Sequence, residues 1–184
     1  MMQATGKNYT RTFSVDRTPL EAFEAITNVR GWWSEDVEGV TDQVGAEFKY
    51  RNKDIHRCTV RVTELVPGRK VSWLVLENYF NFIEDQTEWE GTEVVFDIVE
   101  KEGGAEVRFT HVGLVPEYDC YDVCTNAWAG YLNGSLPNLI NKGKGQPNSK
   151  ENGGAPAHQR AANVVRASRS APLINVAGAG SSGA

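Results

Sequence analysis

Apolar and polar residues alternate in six short stretches between residues 9 and 111, and this period of two predicts antiparallel strands. Turn sequences at Pro67-Gly68 and Gly103-Gly104 divide the last four stretches into two pairs, which predict two β-hairpins. The six predicted strands cover residues 9–15, 45–51, 56–66, 70–76, 92–100 and 105–111.

Apolar residues recur at helical spacing both before and after the main run of strands. Thr18 and Pro19 are typical of a helix start, and the spacing then predicts a helix over residues 19–27 with a short second helix after it. From residue 118 to about 141 the apolar residues recur every three or four positions, which predicts a long helix. Pro137 is expected to kink or break its last turn.

This order of elements predicts an α+β fold. We expect one curved antiparallel β-sheet gripping a long C-terminal α-helix, with two short helices after the first strand. A sheet that curls round a helix is a natural place for an internal pocket. The predicted domain covers residues 1–145. Residues 146–184 are rich in Gly, Ala, Ser and Pro without any period, and they are predicted to form a disordered basic tail.

Composition narrows the functional class. No stretch is long and apolar enough to span a bilayer, and residues 1–10 lack the apolar core of a signal peptide. Three cysteines are too few for a disulfide framework, so we expect a cytoplasmic protein.

The net charge of −5 is distributed unevenly. Residues 141–184 hold six basic residues and one acidic residue, so the rest of the chain is acidic and is expected to repel nucleic-acid phosphates. The basic tail has no aromatic residue for base stacking. Two roles are open for this tail. In one, it contacts RNA or another anionic surface; in the other, it folds back on the acidic body.

Eight segments carry a family resemblance. They are Phe13-Ser14-Val15, Pro19-Leu20-Glu21-Ala22-Phe23, Val29-Arg30-Gly31-Trp32-Trp33, Glu64-Leu65-Val66-Pro67-Gly68, Val71-Ser72-Trp73, Glu88-Trp89-Glu90-Gly91-Thr92, Val107-Arg108-Phe109-Thr110-His111, and Trp128 with Gly134-Ser135-Leu136. With them, residues 8–145 resemble the SRPBCC superfamily, whose START-like or birch-pollen-allergen fold is called helix-grip. The most similar branch is named for homology to the activator of the ninety-kilodalton heat-shock-protein ATPase.

The resemblance implies a hydrophobic cavity between the curved sheet and the C-terminal helix. Relatives bind lipids, sterols, plant hormones or polyketides there, and a few catalyse cyclisation or dehydration. We therefore expect the chain to bind a hydrophobic or amphipathic small molecule. The alternatives are a polyketide cyclase or dehydratase, and a protein-interaction module of the chaperone-cofactor type. That module would use the sheet's outer face and an exposed aromatic segment at residues 79–82, which would also suit a homodimer.

Large aromatics and a few polar residues are the candidate ligand contacts. We expect at least one of the adjacent Trp32 and Trp33 to reach the cavity, and the alternative is that one fills the core while the other plugs the surface. The predicted ligand-binding residues are Trp32, Trp33, Phe48, Trp73, Phe96, Phe109, His111, Trp128, Tyr131 and Ser135. Trp73 is equally suited to plain core filling. Ser135 lies one turn from Tyr131, either as its hydrogen-bonding partner or as a small residue for close packing.

Catalytic and metal chemistry have little support in the sequence. His111, the only histidine with a predicted core context, and Tyr131 are weak candidates for an acid and a base. A structural role for His111 is the stronger expectation, so an enzyme is less expected than a binding protein. Cys120 and Cys124 lie one helical turn apart without further ligands, so neither a metal site nor a cofactor is predicted. The acidic run at residues 84–90 is interpreted as a solvated face.

Overall fold

The computed structural model describes residues 7–150 and contains one sheet of seven strands, followed by a long helix that crosses it. In chain order the elements are β1 (Tyr9–Val15), α1 (Pro19–Thr27), the 3₁₀ turn Val29–Gly31, β2 (Val37–Gly39), β3 (Glu47–Asn52), β4 (His56–Val66), β5 (Lys70–Phe80), β6 (Glu93–Lys101), β7 (Gly104–Val112), α2 (Tyr121–Gly130), the π turn Tyr131–Ser135 and α3 (Leu136–Lys142). The sheet order is β1-β7-β6-β5-β4-β3-β2, with every neighbouring pair antiparallel. The predicted α+β helix-grip class is confirmed.

A capping box fixes the start of α1. Thr18 Oγ1 accepts a hydrogen bond from the Glu21 backbone N–H at 3.1 Å, and the Glu21 carboxylate accepts one from the Thr18 N–H at 2.8 Å. These two bonds satisfy donors that a helix N-terminus otherwise leaves free. The hydrogen bond from the Thr18 backbone N–H, together with a smaller contribution from the Thr18 side chain, favours the charged carboxylate, so the pKa of Glu21 is lowered. Pro19 follows the cap in the first turn, as predicted.

The β4–β5 hairpin bends the sheet toward the helix. Its register shifts after Thr59 and again after Val62, and bulges of this kind bend a strand and increase its twist. Alternate residues of β4 from His56 onward are buried, so the period of two does mark the inner face. Strand β5 continues to Phe80, beyond the predicted end at residue 76, because it stays paired with the start of β4.

The irregularity of the long C-terminal helix is a π turn at Tyr131–Ser135, whereas the sequence predicted a kink or break in the last turn, at Pro137. The Leu136 N–H bonds to the Tyr131 carbonyl, five residues back. Pro137 then lies in the first turn of α3, a position that tolerates its missing N–H. The helix thus runs from residue 121 to 142 without a gap. No helix within residues 7–150 is long and apolar enough to cross a membrane.

The chain turns back on the body after α3, and we call residues 145–150 the C-terminal strap. Gly143 ends the helix in the left-handed conformation, with φ of 77°. The Asn148 N–H then donates to the Trp33 carbonyl at 3.0 Å, and the Glu35 N–H donates to the Asn148 carbonyl at 2.9 Å. Residues 146–150, assigned to the tail by composition, therefore pack on the body. The remaining tail, residues 151–184, lies outside the described residues, and its predicted disorder stays a prediction.

Truncation separates the strap from the tail. We expect a chain ending at Lys150 to unfold at the same temperature as the full chain, because the predicted tail has few apolar residues to bury. A chain ending at Gly143 is expected to unfold roughly 6–12 °C lower, because losing the strap's hydrogen bonds costs about 3 kcal/mol. Thermal unfolding followed by circular dichroism measures both. Equal midpoints for all three chains would show that the strap does not stabilise the body.

Candidate functional site

Both adjacent tryptophans lie inside the molecule. The 3₁₀ turn ends at Gly31, and Trp32 follows with φ of −138° and ψ of −28°, so the pair does not sit on a regular helix or strand. This irregular backbone lets both indoles enter the core, where Trp32 is 0% and Trp33 2% exposed. The Trp32 indole N–H donates to the Ile26 carbonyl at 3.1 Å. The expectation that one of them plugs the surface is not met.

A group of aromatic rings fills most of the space between the sheet and the helix. The ring of Trp33 stacks on Tyr50 with centroids 4.0 Å apart, and on Trp73 with centroids 5.8 Å apart and planes 3° apart. Trp128 on α2 also contacts Trp33, with ring centroids 5.1 Å apart and planes tilted by 36°. Rings at these distances and angles interact favourably beyond the area they bury.

His111 is held by two hydrogen bonds in the core. The Trp128 indole N–H donates to His111 Nδ1 at 3.1 Å, which leaves the ring proton on Nε2. That Nε2 lies 2.9 Å from Thr92 Oγ1, whose own proton goes to the Trp89 carbonyl at 2.6 Å. Both ring nitrogens are therefore satisfied. Burial lowers the pKa of His111 to about 3, with a smaller contribution from His56, so the ring is neutral at pH 7.

Ser135 also has a structural role. Its hydroxyl donates to the Trp32 carbonyl at 2.7 Å and accepts the Gln146 N–H at 2.8 Å. The π turn, the tryptophan pair and the strap therefore meet at one side chain. A Cβ on Gly145 would come within 2.4 Å of the Gly31 carbonyl oxygen, so the strap passes here too closely for any larger residue.

A cavity of about 40 Å³ remains between the sheet and α2. Its lining residues are Trp33, Tyr50, Asn52, Ile55, His56, Phe80, Phe82, Trp89, Val123, Cys124, Ala127, Trp128 and Tyr131. Of the predicted ligand contacts, it brings together Trp33, Trp128 and Tyr131. The predicted contacts that do not line it are Trp32, Phe48, Trp73, Phe96, Phe109, His111 and Ser135, all of which are buried in the core around it. Ligand contact by any of the ten stays a prediction.

His56 is the polar residue that the sequence analysis missed. The inference that His111 alone has a core context is wrong, because His56 is also buried. His56 could have been recognised from the alternation along β4, because Cys58, Val60 and Val62 follow it at every second position on the buried face. Trp89 was missed because the acidic residues around it suggested a solvated loop. Tyr50 shares its strand's inner face with Phe48, and only Phe48 was selected.

The hydrogen bonds of His56 fix its tautomer. The Asn78 amide nitrogen donates to the Gln86 carbonyl at 3.0 Å, so its oxygen faces His56 Nε2 at 2.8 Å and accepts the ring proton. Nδ1 is therefore the unprotonated ring nitrogen and can act only as an acceptor. Burial lowers the pKa of His56 to about 4, against a smaller raising effect of the Asn78 bond. The ring is neutral at pH 7.

Trp89 lines the same cavity with its ring, while its indole N–H is enclosed by other atoms. Its indole Nε1 is buried and has no hydrogen-bond partner in the described part of the chain. Its ring meets His56 edge-to-face, with centroids 4.6 Å apart, and stacks on Trp128 at 5.7 Å. A buried N–H without a partner costs free energy comparable to a lost hydrogen bond.

Two tyrosine hydroxyls and the strap meet at another part of the cavity wall. The Asn148 amide nitrogen donates to the hydroxyl of Tyr131 at 2.7 Å and to that of Tyr50 at 3.0 Å. The two hydroxyls also bond to each other. Burial raises the pKa of both phenols, that of Tyr131 to about 12, so both stay protonated at pH 7. Tyr131 therefore has its partners within the protein.

The acidic run has structural contacts that its composition did not indicate. The Glu88 carboxylate accepts the backbone N–H groups of Asp119 and Cys120, at 2.8 and 2.9 Å, just before α2 begins. A carboxylate at this position satisfies free helix donors and complements the helix dipole. Glu84 and Asp85 are exposed, as a solvated face requires. Within the described residues no three His, Cys, Asp or Glu side chains cluster in a way that could hold a metal ion.

Comparison with known proteins assigns the family. The family model described as Activator of Hsp90 ATPase homolog 1-like protein matches residues 16–141, more than half of the chain. The chain belongs to this family. No curated protein sequence matches it.

Solved structures agree with this family assignment. The solution structure of the Aha1 dimer from Colwellia psychrerythraea is 29% identical, with a TM-score of 0.61, over 76% of this chain and 99% of that one. Protein MLL2253 from Mesorhizobium loti is 14% identical, with a TM-score of 0.58, over 73% and 96% of the two chains. DynU16, a putative protein in the dynemicin biosynthetic locus, is 14% identical, with a TM-score of 0.55, over 75% and 48%. The last two likenesses show the fold alone.

The two buried histidines make the free energy of unfolding depend on pH. Their folded pKa values of about 4 and 3 lie below the ordinary 6.5, so below pH 6.5 the unfolded chain binds more protons than the folded one. Stability is full above that pH and falls as the pH drops toward 4. At pH 5 each histidine is expected to cost about 2 kcal/mol.

Urea unfolding at pH 7.5 and pH 5.0 measures this loss. His56→Gln keeps an amide donor for Asn78 and removes one titrating group, so the difference between the two pH values should shrink by about 2 kcal/mol. An unchanged difference in the variant would contradict the buried neutral state of His56.

Proposed function

We propose that this protein binds a small uncharged amphipathic molecule, with its polar end inside the cavity and its apolar part across the cavity mouth. The observation that carries the proposal is an uncharged cavity whose buried lining includes polar side chains, among them Asn52, His56 and Tyr131, and whose rim is apolar. The lining residues that are partly exposed, and so mark the mouth, are Ile55, Phe82, Val123 and Ala127. Each of them is apolar.

The size of the cavity limits the ligand. A volume of about 40 Å³ corresponds to about three or four water-sized occupants, since one needs about 10–15 Å³. Pockets that enclose a whole drug-sized ligand measure about 300–1,000 Å³. The aromatic rings occupy the space in which a sterol or lipid was expected to lie. An end group of a few atoms fits, and the rest of the molecule lies at the mouth.

The lining excludes charge. Within residues 7–150, no Lys, Arg, Asp or Glu side chain lines the cavity, and both its histidine and its tyrosines are neutral at pH 7. An ionised end group entering it would lose its hydration without gaining a counter-ion, which costs several kcal/mol. An uncharged polar group loses far less and can recover hydrogen bonds from the wall.

The alternative functions have weaker support. The cyclase hypothesis needs His111 and Tyr131 to act on one substrate, but both nitrogens of His111 are bonded within the core and that ring does not line the cavity. The interaction-module hypothesis relied on an exposed aromatic segment at residues 79–82, in which Phe80 is 1% exposed.

The free cysteines of the protein are compatible with the cytoplasm, which we keep as the proposed compartment.

A homodimer is a separate proposal about assembly. It is supported by the relative from Colwellia psychrerythraea, which is described as a dimer and is 29% identical to this chain. Sedimentation velocity at 5–50 µM (roughly the range in which weak dimers form) measures it. A single species at the monomer mass over this range would contradict it.

Blocking the mouth tests the binding function. Ala127→Phe places a ring over the cavity, whereas Ala129→Phe adds the same ring two residues along α2, away from the lining. With 1-octanol as the probe, calorimetry should show saturable binding to the wild type and to Ala129→Phe, and at least roughly tenfold weaker binding to Ala127→Phe. Binding should also slow methanethiosulfonate labelling of Cys124, a buried thiol in the lining.

Two results of these binding measurements would contradict the proposal. If neither 1-octanol nor a short alkylphenol binds saturably to the wild type, the proposed function is wrong. If they bind equally to both phenylalanine variants, the cavity is the wrong site.

A further inference from the structure

A second open space, which we call the outer groove, lies on the exposed face of strands β2 to β5. It measures about 520 Å³, within the range of about 300–1,000 Å³ that is typical of small-molecule sites. The exposed residues of β3 and β4 that line it alternate with buried residues of the inner face, so the sheet separates the groove from the cavity. Its charged lining residues are three cations and three anions, Lys49, Arg51, Arg57, Asp36, Glu38 and Glu77.

Two arginines face each other in the outer groove. The strand register places Arg51 on β3 directly opposite Arg57 on β4. Like charges directly opposite each other destabilise a sheet. An anion bound between them removes that repulsion, and departures from a local rule of this kind are expected at functional sites.

Arg57 is held in place but is not neutralised by a carboxylate. Its guanidinium carbon lies 4.1 Å from the centre of the Tyr79 ring, the residue opposite it on β5. A guanidinium over a ring uses its face, while its N–H groups lie in its plane and are left for an acceptor. The three salt bridges within residues 7–150 do not include Arg57.

Arg51 is only partly committed to the protein. Its Nε donates to the Lys53 carbonyl at 3.1 Å, and one terminal nitrogen donates to the Asp54 carboxylate at 3.3 Å. The Asp54 side chain is 92% exposed, so this ion pair is weak. An arginine has five N–H donors, and these two bonds leave the others for a ligand.

We propose that the outer groove binds a small soluble phosphate monoester, whose phosphate accepts hydrogen bonds from Arg51 and Arg57. Guanidinium groups match the oxygens of a phosphate and bind it through paired charge-assisted bonds. A phosphate monoester carries a charge of about −1.5 to −2, which balances the two arginines. The volume of the groove leaves room for the organic part of the ligand. The site is independent of ligand binding in the cavity, which lies on the other face of the sheet.

The carboxylates of the outer groove restrict the ligand to a single compact anion. Glu38 and Glu77 lie at the two ends of one row across the sheet, with Lys49 and Thr59 between them. Neither Glu38, Glu77 nor Asp36 belongs to a salt bridge within residues 7–150. Their charges repel a polyanion that extends beyond the two arginines, such as a nucleic acid or an anionic membrane surface.

Phenyl phosphate is the probe that tests this site. It is mostly a dianion at pH 7.5, and a backbone-amide NMR titration both measures its Kd and locates it. We expect saturable shifts at Arg51, Arg57 and Thr59, which weaken as salt is added. Phenyl sulfate, with one negative charge, should bind more weakly, and phenol should leave these amides unchanged.

A matched pair of variants tests the role of the arginines. Arg57→Gln removes a cation from the groove and should weaken phenyl phosphate by at least roughly tenfold, the effect of losing a hydrogen bond to a charged group. Arg61→Gln removes the same charge from the same strand and face, but Arg61 is paired with Glu47 at 2.9 Å and does not line the groove. Its Kd should stay within about twofold of the wild type. Both residues are exposed, and unchanged amide shifts elsewhere verify the fold.

Two further arms separate the source of the phosphate and the location of the site. Phosphatidic acid carries the same phosphate group on a membrane, and vesicles of phosphatidylcholine with phosphatidic acid should not co-sediment with the protein. Ala127→Phe blocks the cavity mouth and should leave the Kd for phenyl phosphate unchanged.

Four outcomes would overturn the inference. An absence of saturable shifts in the wild type, or equal weakening by Arg57→Gln and Arg61→Gln, would show that the arginine pair is not a phosphate site. Co-sedimentation with the vesicles would contradict a small soluble ligand. Loss of binding in Ala127→Phe would place phenyl phosphate in the cavity. None of these outcomes depends on whether 1-octanol binds, so the two proposals succeed or fail separately.

Discussion

The stacking of Trp33 between the sheet and the C-terminal helix determines what this protein can hold. Its ring lies against Tyr50 of the sheet and Trp128 of the helix, at centroid distances of 4.0 and 5.1 Å. The Trp33 carbonyl also accepts the strap through the Asn148 N–H. Trp33 thus fills space between the sheet and the C-terminal helix, and its carbonyl also anchors the strap that follows the helix. The space that the curved sheet would otherwise enclose is occupied by indole, and only about 40 Å³ remains open.

The two buried histidines differ in whether their rings line the cavity. His111 accepts a hydrogen bond from the Trp128 indole N–H on one nitrogen and bonds Thr92 with the other, so it joins β7, the residue before β6 and α2, and both of its nitrogens are used. His56 has one nitrogen committed to Asn78, and its ring lines the cavity, which the ring of His111 does not. Desolvation keeps both rings neutral at pH 7. Burial alone therefore says little about function, and the count of satisfied atoms says more.

The sequence predicted the regular part of the fold because regular periods dominate it. The β4–β5 and β6–β7 hairpins alternate clearly around glycine turns, and α1 carries its own capping box, so local signals agree with tertiary structure. Strand β2 has only three residues, Val37–Gly39, which is too short for any period to appear. The strap escaped detection because residues 143–150 have the composition of a linker. It is fixed by Asn148, a single buried amide whose partners are distant in sequence.

The candidate site was less predictable, because inward phase does not separate core from cavity. Trp73 and Trp33 both point inward, and only packing decides that one is enclosed while the other borders open space. Trp89 lies between Glu88 and Glu90, whose carboxylates bond to backbone N–H groups that no local pattern reveals. A residue's role here depends on which polar atoms remain unused after folding, and that requires the complete set of hydrogen bonds.

A crystal structure of the protein with 1-octanol bound is the most direct test of ligand binding in the cavity. We expect density for the hydroxyl end inside the space lined by Trp33, His56 and Trp128. The alkyl chain should leave the cavity between Ile55 and Phe82, two partly exposed residues of its lining. Density showing the alcohol bound elsewhere, or entering the cavity with its methyl end first, would contradict the proposed binding of a polar end group in the cavity.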